Sequence, residues 1–346
     1  MIRLPDLSLA PVQNKKVFLR LDLDVPKSEY GVIDTTRIDA GFPTLEFLYK
    51  NAGEIIIGSH LGRPVGIDEN LSLRAIARAI ANRLEIPAEE FKEVDLDDLK
   101  AFRIGERVTL LENLRFYKGE EQNDPDFSRK LASFAQVFVN EAFAVCHRNH
   151  ASVVGVAQLL PHFAGFRLQK EVEELSKVLE NPSRPLVVVI GGAKIETKLP
   201  LVDKMRQLAD KILVGGEIAA EISSFEKPDQ KIIVADLNLE RTDVTENSIK
   251  RFGEEIAGAK TVVWNGPMGE ISKEVNKTLL SEVGTKEIAF LISNSSAHTI
   301  VGGGDTIGFL NKHGLLHNFS FVSTGGGAML AFLSGEKLPG LEALQE

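Results

Sequence analysis

The sequence predicts an α/β protein built from two Rossmann-like, doubly wound parallel-sheet domains joined by a helix. Short β-branched and apolar runs alternate with stretches of helical spacing, a pattern that implies parallel sheets covered on both faces. Polar or glycine-rich loops follow most of those runs, and in open α/β sheets ligands gather at the carboxyl ends of the strands. A chain of 346 residues with 43% hydrophobic content is also long for one core and sufficient for two.

The elements are justified in chain order. Apolar runs predict strands over 17–23, 54–58, 108–111 and 137–140, then over 186–190, 211–214, 231–234, 261–264, 288–292 and 320–322. Helical spacing covers 37–51, 73–84, 126–134, 199–209, 245–256 and 273–283, with an apolar helix at 329–333. In 166–180 an apolar stripe of Leu168, Val172, Leu175, Val178 and Leu179 predicts one more helix, which Asn181-Pro182-Ser183-Arg184-Pro185 stops. This places an amino-terminal domain at 1–165, an interdomain helix at 166–181 and a carboxy-terminal domain at 182–334. The helix serves either as a hinge or as a packed connector.

Composition excludes several classes of function. A formal net charge of −9 with no lysine–arginine tract argues against a general nucleic-acid binder, so any positive field must be local. The single cysteine, Cys146, permits neither an intramolecular disulfide nor a multi-cysteine metal site. Met1-Ile2-Arg3-Leu4-Pro5-Asp6 has no apolar signal core, and no apolar run approaches the roughly 18 residues of a membrane span. A cytoplasmic protein without membrane contact is expected.

The loop chemistry differs between the halves. The first half offers cations and acids: Asp22, Asp24, Arg37, the loop Ser59-His60-Leu61-Gly62-Arg63-Pro64, Arg115, and His147-Arg148-Asn149-His150. Several arginines at one sheet edge make a basket for a small polyanion, because each planar guanidinium binds carboxylate or phosphate bidentately. No acid or cysteine stands at ligand spacing to complete a zinc site with His147 and His150, and Cys146 in an apolar run reads as a space-filler rather than a nucleophile.

The second half offers glycines. Gly191 and Gly192 permit close backbone approach to an anion at a helix start, where unpaired N–H groups and the helix dipole favour negative charge. Lys194 and Lys198, four apart, repel on a plain helix but converge well on phosphate oxygens; the alternative is two solvated surface lysines. Gly302-Gly303-Gly304-Asp305-Thr306 adds a carboxylate and a hydroxyl suited to Mg²⁺ on a nucleotide, and Ser323-Thr324-Gly325-Gly326-Gly327-Ala328 repeats the device. Neither is a Walker loop or a dinucleotide fingerprint. Two ligands and a transfer between them are expected.

These residues stand in a recognisable order. Arg20-Leu21-Asp22-Leu23-Asp24-Val25-Pro26, Asp34-Thr35-Thr36-Arg37-Ile38, Ser59 to Pro64, Leu110 to Phe116, His147-Arg148 with His150-Ala151-Ser152, Gly191-Gly192-Ala193-Lys194 with Lys198, Trp264-Asn265-Gly266-Pro267-Met268-Gly269 and the two glycine triplets together resemble phosphoglycerate kinases over almost the whole chain. The resemblance implies Mg²⁺-dependent, reversible phosphoryl transfer from 1,3-bisphosphoglycerate to ADP, giving 3-phosphoglycerate and ATP. It implies a glycerate site of Asp22, Asp24, Arg37, His60, Arg63, Arg115 and Arg148. It implies a nucleotide site of Gly192, Lys194, Lys198, Gly215, Asn265, Pro267, Glu270, Gly303, Gly304, Asp305, Thr306, Gly325 and Gly326, with Asp305 near magnesium. Arg37, Lys194 and Lys198 would act on the transferring group after domain closure, in a monomer whose tail, 335–346, returns to the first domain.

The chain departs from the family pattern at several positions. Asp24 stands where the family has Asn, Glu141 where it has Asp, Ala144 and Glu217 where it has Gly, and Ser272 where a ribose-binding Glu is expected, with Glu270 and Glu274 nearby. The segment 221–260 is also short, which leaves nucleotide preference open. A nucleotide-sensing relative without transfer and a kinase for another carboxylate are the competing readings.

Overall fold

A computed structural model describes residues 2–28, 31–193, 195–222, 230–272 and 279–345. The chain forms two compact units, one of Ile2–Val172 with Lys337–Glu346 and one of Glu173–Glu336. Each is an α/β sheet with its own core.

In the amino-terminal unit the strands are β1 (Lys16–Arg20), β2 (Lys27–Ser28), β3 (Gly31–Val32), β4 (Glu54–Gly58), β5 (Phe91–Leu96), β6 (Leu99–Ile104), β7 (Val108–Leu111), β8 (Val137–Asn140) and β9 (His162–Ala164). Seven of them make one sheet in the order β5-β6-β7-β4-β1-β8-β9, while β2 and β3 pair separately. The helices are α1 (Thr36–Asn51), α2 (Arg74–Arg83), α3 (Lys118–Glu121), α4 (Pro125–Ser133) and α5 (Phe166–Glu180). Val17, Leu19, Ile55, Ile57, Val137 and Val139 from the central strands meet Leu45, Leu48, Ile76 and Ile80 of α1 and α2 in the core.

The carboxy-terminal unit has β10 (Leu186–Ile190), β11 (Lys211–Val214), β12 (Ile232–Val234), β13 (Thr261–Asn265), β14 (His298–Gly302) and β15 (Phe321–Ser323). Their order is β12-β11-β10-β13-β14-β15, parallel throughout. Around it lie α6 (Ile195–Leu208), α7 (Ile218–Ile222), α8 (Glu246–Gly258), α9 (Val283–Ser293), α10 (Gly304–Lys312) and α11 (Gly327–Leu333); α12 (Pro339–Glu342) follows in the tail. The boundary between the units falls within α5, after Val172. Near its start, Glu141 at the end of β8 accepts from the Arg167 and Leu168 N–H groups at 3.0 and 3.1 Å, a capping arrangement.

Four sequence expectations are corrected. The first sheet, otherwise parallel, has an antiparallel edge: β5–β6 and β6–β7 are antiparallel, and the charged residues Lys92, Glu93 and Asp95 of β5 gave no apolar run to detect. Residues 288–292 are not a strand but part of α9, whose buried Gly284, Thr285, Ile288, Ala289 and Ile292 follow helical spacing. The strand that feeds the Gly302 loop is instead β14. The helix expected over 273–283 has 273–278 outside the described residues, and Leu280–Glu282 is a 3-10 turn before α9.

Candidate functional site

In the amino-terminal unit the glycerate candidates lie beyond the carboxyl ends of β1, β4, β7 and β8 and on α1. The predicted strand over 17–23 stops at Arg20, which frees Asp22 and Asp24 to turn toward α1 and the β4 loop. Arg37, in the first turn of α1, donates through one guanidinium nitrogen to both Asp22 oxygens at 3.0 and 3.1 Å. The same nitrogen lies 4.0 Å from an Asp24 oxygen. Asp24 Oδ1 accepts from the Gly62 N–H at 2.9 Å, while Oδ2 lies 3.8 Å from His60 Nε2. Arg115 donates to the Gly62 carbonyl at 2.6 Å and faces Glu121 at 3.3 Å. Gly62, at φ 63°, takes the left-handed conformation that places its N–H and its carbonyl on these two partners.

Burial first, and the surrounding cations second, keep the histidines neutral. Burial first, then Arg20, Arg115 and Arg37, hold His60 well below its ordinary pKa. Burial and Arg148 lower His147 to about 4; burial, Arg115, Arg20 and Arg148 lower His150 to about 3. At neutral pH the positive charge therefore resides on arginines, with Arg63 and Arg148 exposed. Cys146 is buried and its thiol is pushed up to about 12 by that burial, so it supplies no thiolate.

Arg20, Glu120 and Ser152 belong to this cluster and were not among the expected site residues, although Arg20 and Ser152 stand in the motifs that carry the resemblance. Arg20 is wholly buried and donates to Ser152 Oγ at 2.8 Å, to the Leu21 carbonyl at 2.5 Å and to His60 Nδ1 at 3.2 Å. The available signal was an arginine inside the otherwise apolar run Val17-Phe18-Leu19-Arg20-Leu21, since arginine is almost never fully buried without partners.

In the carboxy-terminal unit the glycine loops meet at the carboxyl ends of β10, β11, β13 and β14. The Gly191 N–H bonds the Asn265 carbonyl at 3.0 Å and the Gly192 N–H bonds the Pro267 carbonyl at 2.8 Å. A Cβ on Gly266, at φ 98°, would run into the Gly191 carbonyl, so the two turns touch only because both are glycine. The Gly216 N–H, beside Gly215, donates to the Met268 carbonyl at 2.9 Å. The buried Trp264 indole donates to the Gly266 carbonyl at 2.8 Å, and Thr306 Oγ1 accepts from the Gly266 N–H at 3.0 Å.

Lys198 is buried on α6, where its ammonium donates to Asn265 Oδ1. Burial lowers its pKa to about 8, opposed by Asp305. Asp305 is exposed in the first turn of α10, next to Gly304 and behind Gly303 at φ 98°. Gly325 donates to Ser323 Oγ at 3.2 Å, and Gly326 precedes α11 at φ 50°. Lys194 lies outside the described residues, as does Glu274. Glu270 is exposed, and the loop around it bonds elsewhere: its N–H reaches the Thr242 carbonyl at 2.8 Å and its carbonyl accepts from Ser281 Oγ at 2.9 Å.

The phosphoglycerate kinase family model matches residues 7–229 and 222–336. The chain belongs to the phosphoglycerate kinase family. The phosphoglycerate kinase of Thermosynechococcus vestitus is 35% identical over 399 aligned positions, covering 98% of this chain and 98% of that protein. That of Dictyoglomus turgidum is 34% identical, covering 99% and 98%. Among solved structures, the phosphoglycerate kinase of Coxiella burnetii aligns with a TM-score of 0.78 at 31% identity over 99% of both chains. The Pyrococcus horikoshii enzyme aligns with a TM-score of 0.81 at 27% identity over 98% of both. As a phosphoglycerate kinase family member the chain is a phosphotransferase with a carboxyl acceptor and with ADP and ATP as substrates. No helix among the described residues is long and apolar enough to cross a membrane.

Proposed function

We propose that this chain catalyses the reversible, Mg²⁺-dependent transfer of a phosphoryl group from 1,3-bisphosphoglycerate to ADP through the residues described above. The observation that carries the reading is that each unit bears an anion-binding chemistry of its own at the carboxyl ends of parallel strands: arginines around neutral histidines in one, glycine turns around a buried lysine in the other.

An acyl phosphate already has a good carboxylate leaving group, so positioning and charge stabilisation suffice and no nucleophilic side chain is required. Arg37, Arg63, Arg115 and Arg148 hold the carboxylate and phosphate ends of the glycerate. Asp22 fixes Arg37, and neutral His60 donates from Nε2. Asp24 accepts from the substrate hydroxyl while remaining bonded to the Gly62 N–H. On the nucleotide side, Gly192, Gly215, Gly303, Gly304, Gly325 and Gly326 allow the backbone to approach phosphates, with Asn265, Pro267 and Thr306 fixing the turns. Lys194 and Lys198 bind phosphate oxygens, and Lys198 with Arg37 moves onto the transferring group.

The donor set fits magnesium. Among the described residues no three acid, histidine or cysteine groups converge, and Asp305 is exposed in the first turn of the helix that follows the Gly303 turn. Mg²⁺ is typically held by one or two carboxylates, nucleotide phosphates and water, so Asp305 suits it. When bound, the ion neutralises developing phosphate charge. Transfer further requires the two ligands to meet and water to be expelled, a closing step that scattering would register as a smaller radius of gyration with both ligands than with neither.

A coupled assay with 3-phosphoglycerate and Mg-ATP tests the reading. Turnover that depends on both substrates and on Mg²⁺ is expected. Nucleotide binding without turnover would favour a sensing protein, and turnover only on another carboxylate would favour a different acceptor.

A further inference from the structure

Glu120 and Ser152 lie buried behind the arginines assigned above to the ligand, with Glu120 close enough to Arg20 and Arg115 to interact with their charges. Glu120, on α3, and Ser152 are both fully buried. Glu120 Oε2 accepts from the Ser152 N–H at 3.0 Å, and Oε1 accepts from the Ser152 hydroxyl at 2.6 Å. With its hydrogen directed at Glu120, the hydroxyl offers a lone pair outward, to which Arg20 Nε donates at 2.8 Å. Arg20 then donates at 3.2 Å to His60 Nδ1. A guanidinium has only donors, so Nδ1 must be the ring's unprotonated nitrogen and Nε2 must carry the hydrogen. Arg20 can only donate, which fixes the direction of its bonds to Ser152 and His60, and Glu120 turns the Ser152 hydroxyl so that it can accept from Arg20 Nε and hold the guanidinium in place against His60.

We propose that Glu120 is a positioning residue which, through Ser152 and Arg20, holds His60 as the Nε2–H tautomer and so presents a hydrogen-bond donor to the anionic substrate. The proposal rests on the glycerate site suggested for this unit. It explains why a carboxylate is kept where burial raises its pKa: Arg20, itself buried, needs a counter-charge, and two bonds from Ser152 satisfy the acid. A glutamine at 120 would present one donor and one acceptor. Its amide could donate to Ser152 Oγ, compete with Arg20 Nε, and release Arg20 from the geometry that fixes Nδ1.

The test is ¹⁵N NMR of the ring nitrogens in histidine-labelled full chain, with His60→Gln identifying the signals, together with steady-state kinetics. The unaltered chain should show Nε2–H at His60. In Glu120→Gln the Nδ1–H tautomer should appear, and KM for 3-phosphoglycerate should rise about tenfold while KM for ATP stays within about twofold, the loss expected for one hydrogen bond to a charged group. Because Glu120→Gln removes the larger of the counter-charges on buried Arg20, leaving Asp22, and can unfold the chain, Ser152→Ala provides a milder break in the same series; it should shift the tautomer and the glycerate KM in the same direction. Wild-type tautomer and KM in a folded Ser152→Ala, or equal rises in both KM values, would overturn the relay. Failure of the unaltered chain to phosphorylate 3-phosphoglycerate overturns the site reading instead, since the tautomer is read without substrate.

Discussion

In the amino-terminal unit the candidate cations are arginine side chains held by an acid or a backbone carbonyl, Arg37 by Asp22 and Arg115 by the Gly62 carbonyl, whereas the carboxy-terminal unit is built from close-packed backbone turns at which a side chain on Gly191 or Gly266 would collide. The two constructions fail differently. Side-chain cations carry their charge on flexible stems and need buried counter-charges, so single substitutions there should alter affinity by degrees. Backbone turns depend on close approach, so one methyl group can displace a whole loop. Lys198 is the exception in the second unit: a side-chain charge, buried and with its pKa brought down to about 8.

The largest effect should therefore fall on Lys198. Lys198→Ala should lower kcat by roughly 10²- to 10³-fold, as removal of a preorganised charge-stabilising group commonly does. A raised KM with unchanged kcat would reassign this lysine to ground-state binding and would make the two units more alike than described.

Gly303→Ala probes the backbone construction. At φ 98° any side chain is strained, and the added Cβ would sit 3.3 Å from the Asn265 side chain that anchors Lys198. Thermal melting should show a loss of about 1–3 kcal/mol, with a KM for ATP raised about tenfold and the glycerate KM unchanged. An unaffected ATP KM would remove Gly303 from the phosphate turn.

The pH profile sharpens the same contrast. Lys198 has its pKa lowered to about 8, so its charge is lost as pH rises through that value. In the free enzyme kcat/KM for ADP should fall above about pH 8, approaching tenfold per pH unit. Stability runs the other way: between about 8 and the unfolded lysine value near 10.4 the unfolded chain binds more protons, so this group favours the folded state increasingly as pH rises. A flat kcat/KM from pH 7 to about 10 would contradict the assignment of Lys198 as a required cation.

The smallest change is expected at Asp24. Its Oδ1 already accepts from the Gly62 N–H, and an asparagine carbonyl takes that bond equally well. Asp24→Asn should change the glycerate KM by less than about tenfold, roughly 1.4 kcal/mol. If the unaltered chain is inactive on phosphoglycerate and Asp24→Asn becomes active, the acceptor is a different carboxylate.

The sequence exposed what depends on long apolar runs and on turns. Strands β4, β7, β8, β10 and β11 have the bounds expected from their β-branched residues, and α5 runs over the span of its apolar stripe. The glycine turns were legible because glycine is the residue whose conformational need is written in its identity. Charged strands and mixed runs were not. The β5 strand exposes its charges Lys92, Glu93 and Asp95, and Ile288-Ala289-Phe290-Leu291-Ile292 reads as a strand until burial shows Phe290 outside and Ile288 inside. Glu120 sits in Lys118-Gly119-Glu120-Glu121-Gln122-Asn123-Asp124, a stretch that looks solvated; only its burial beside Ser152 identifies it. No local pattern announces that one of two adjacent glutamates is inside.

The division of labour between the units is tested most directly by calorimetric titration of 3-phosphoglycerate and of Mg-ADP, each separately, into Arg37→Ala and Gly303→Ala. Arg37→Ala should weaken 3-phosphoglycerate by about tenfold or more and leave Mg-ADP within about twofold, and Gly303→Ala should do the reverse. Equal weakening of both ligands by either substitution in a folded protein would contradict two anion sites of separate construction.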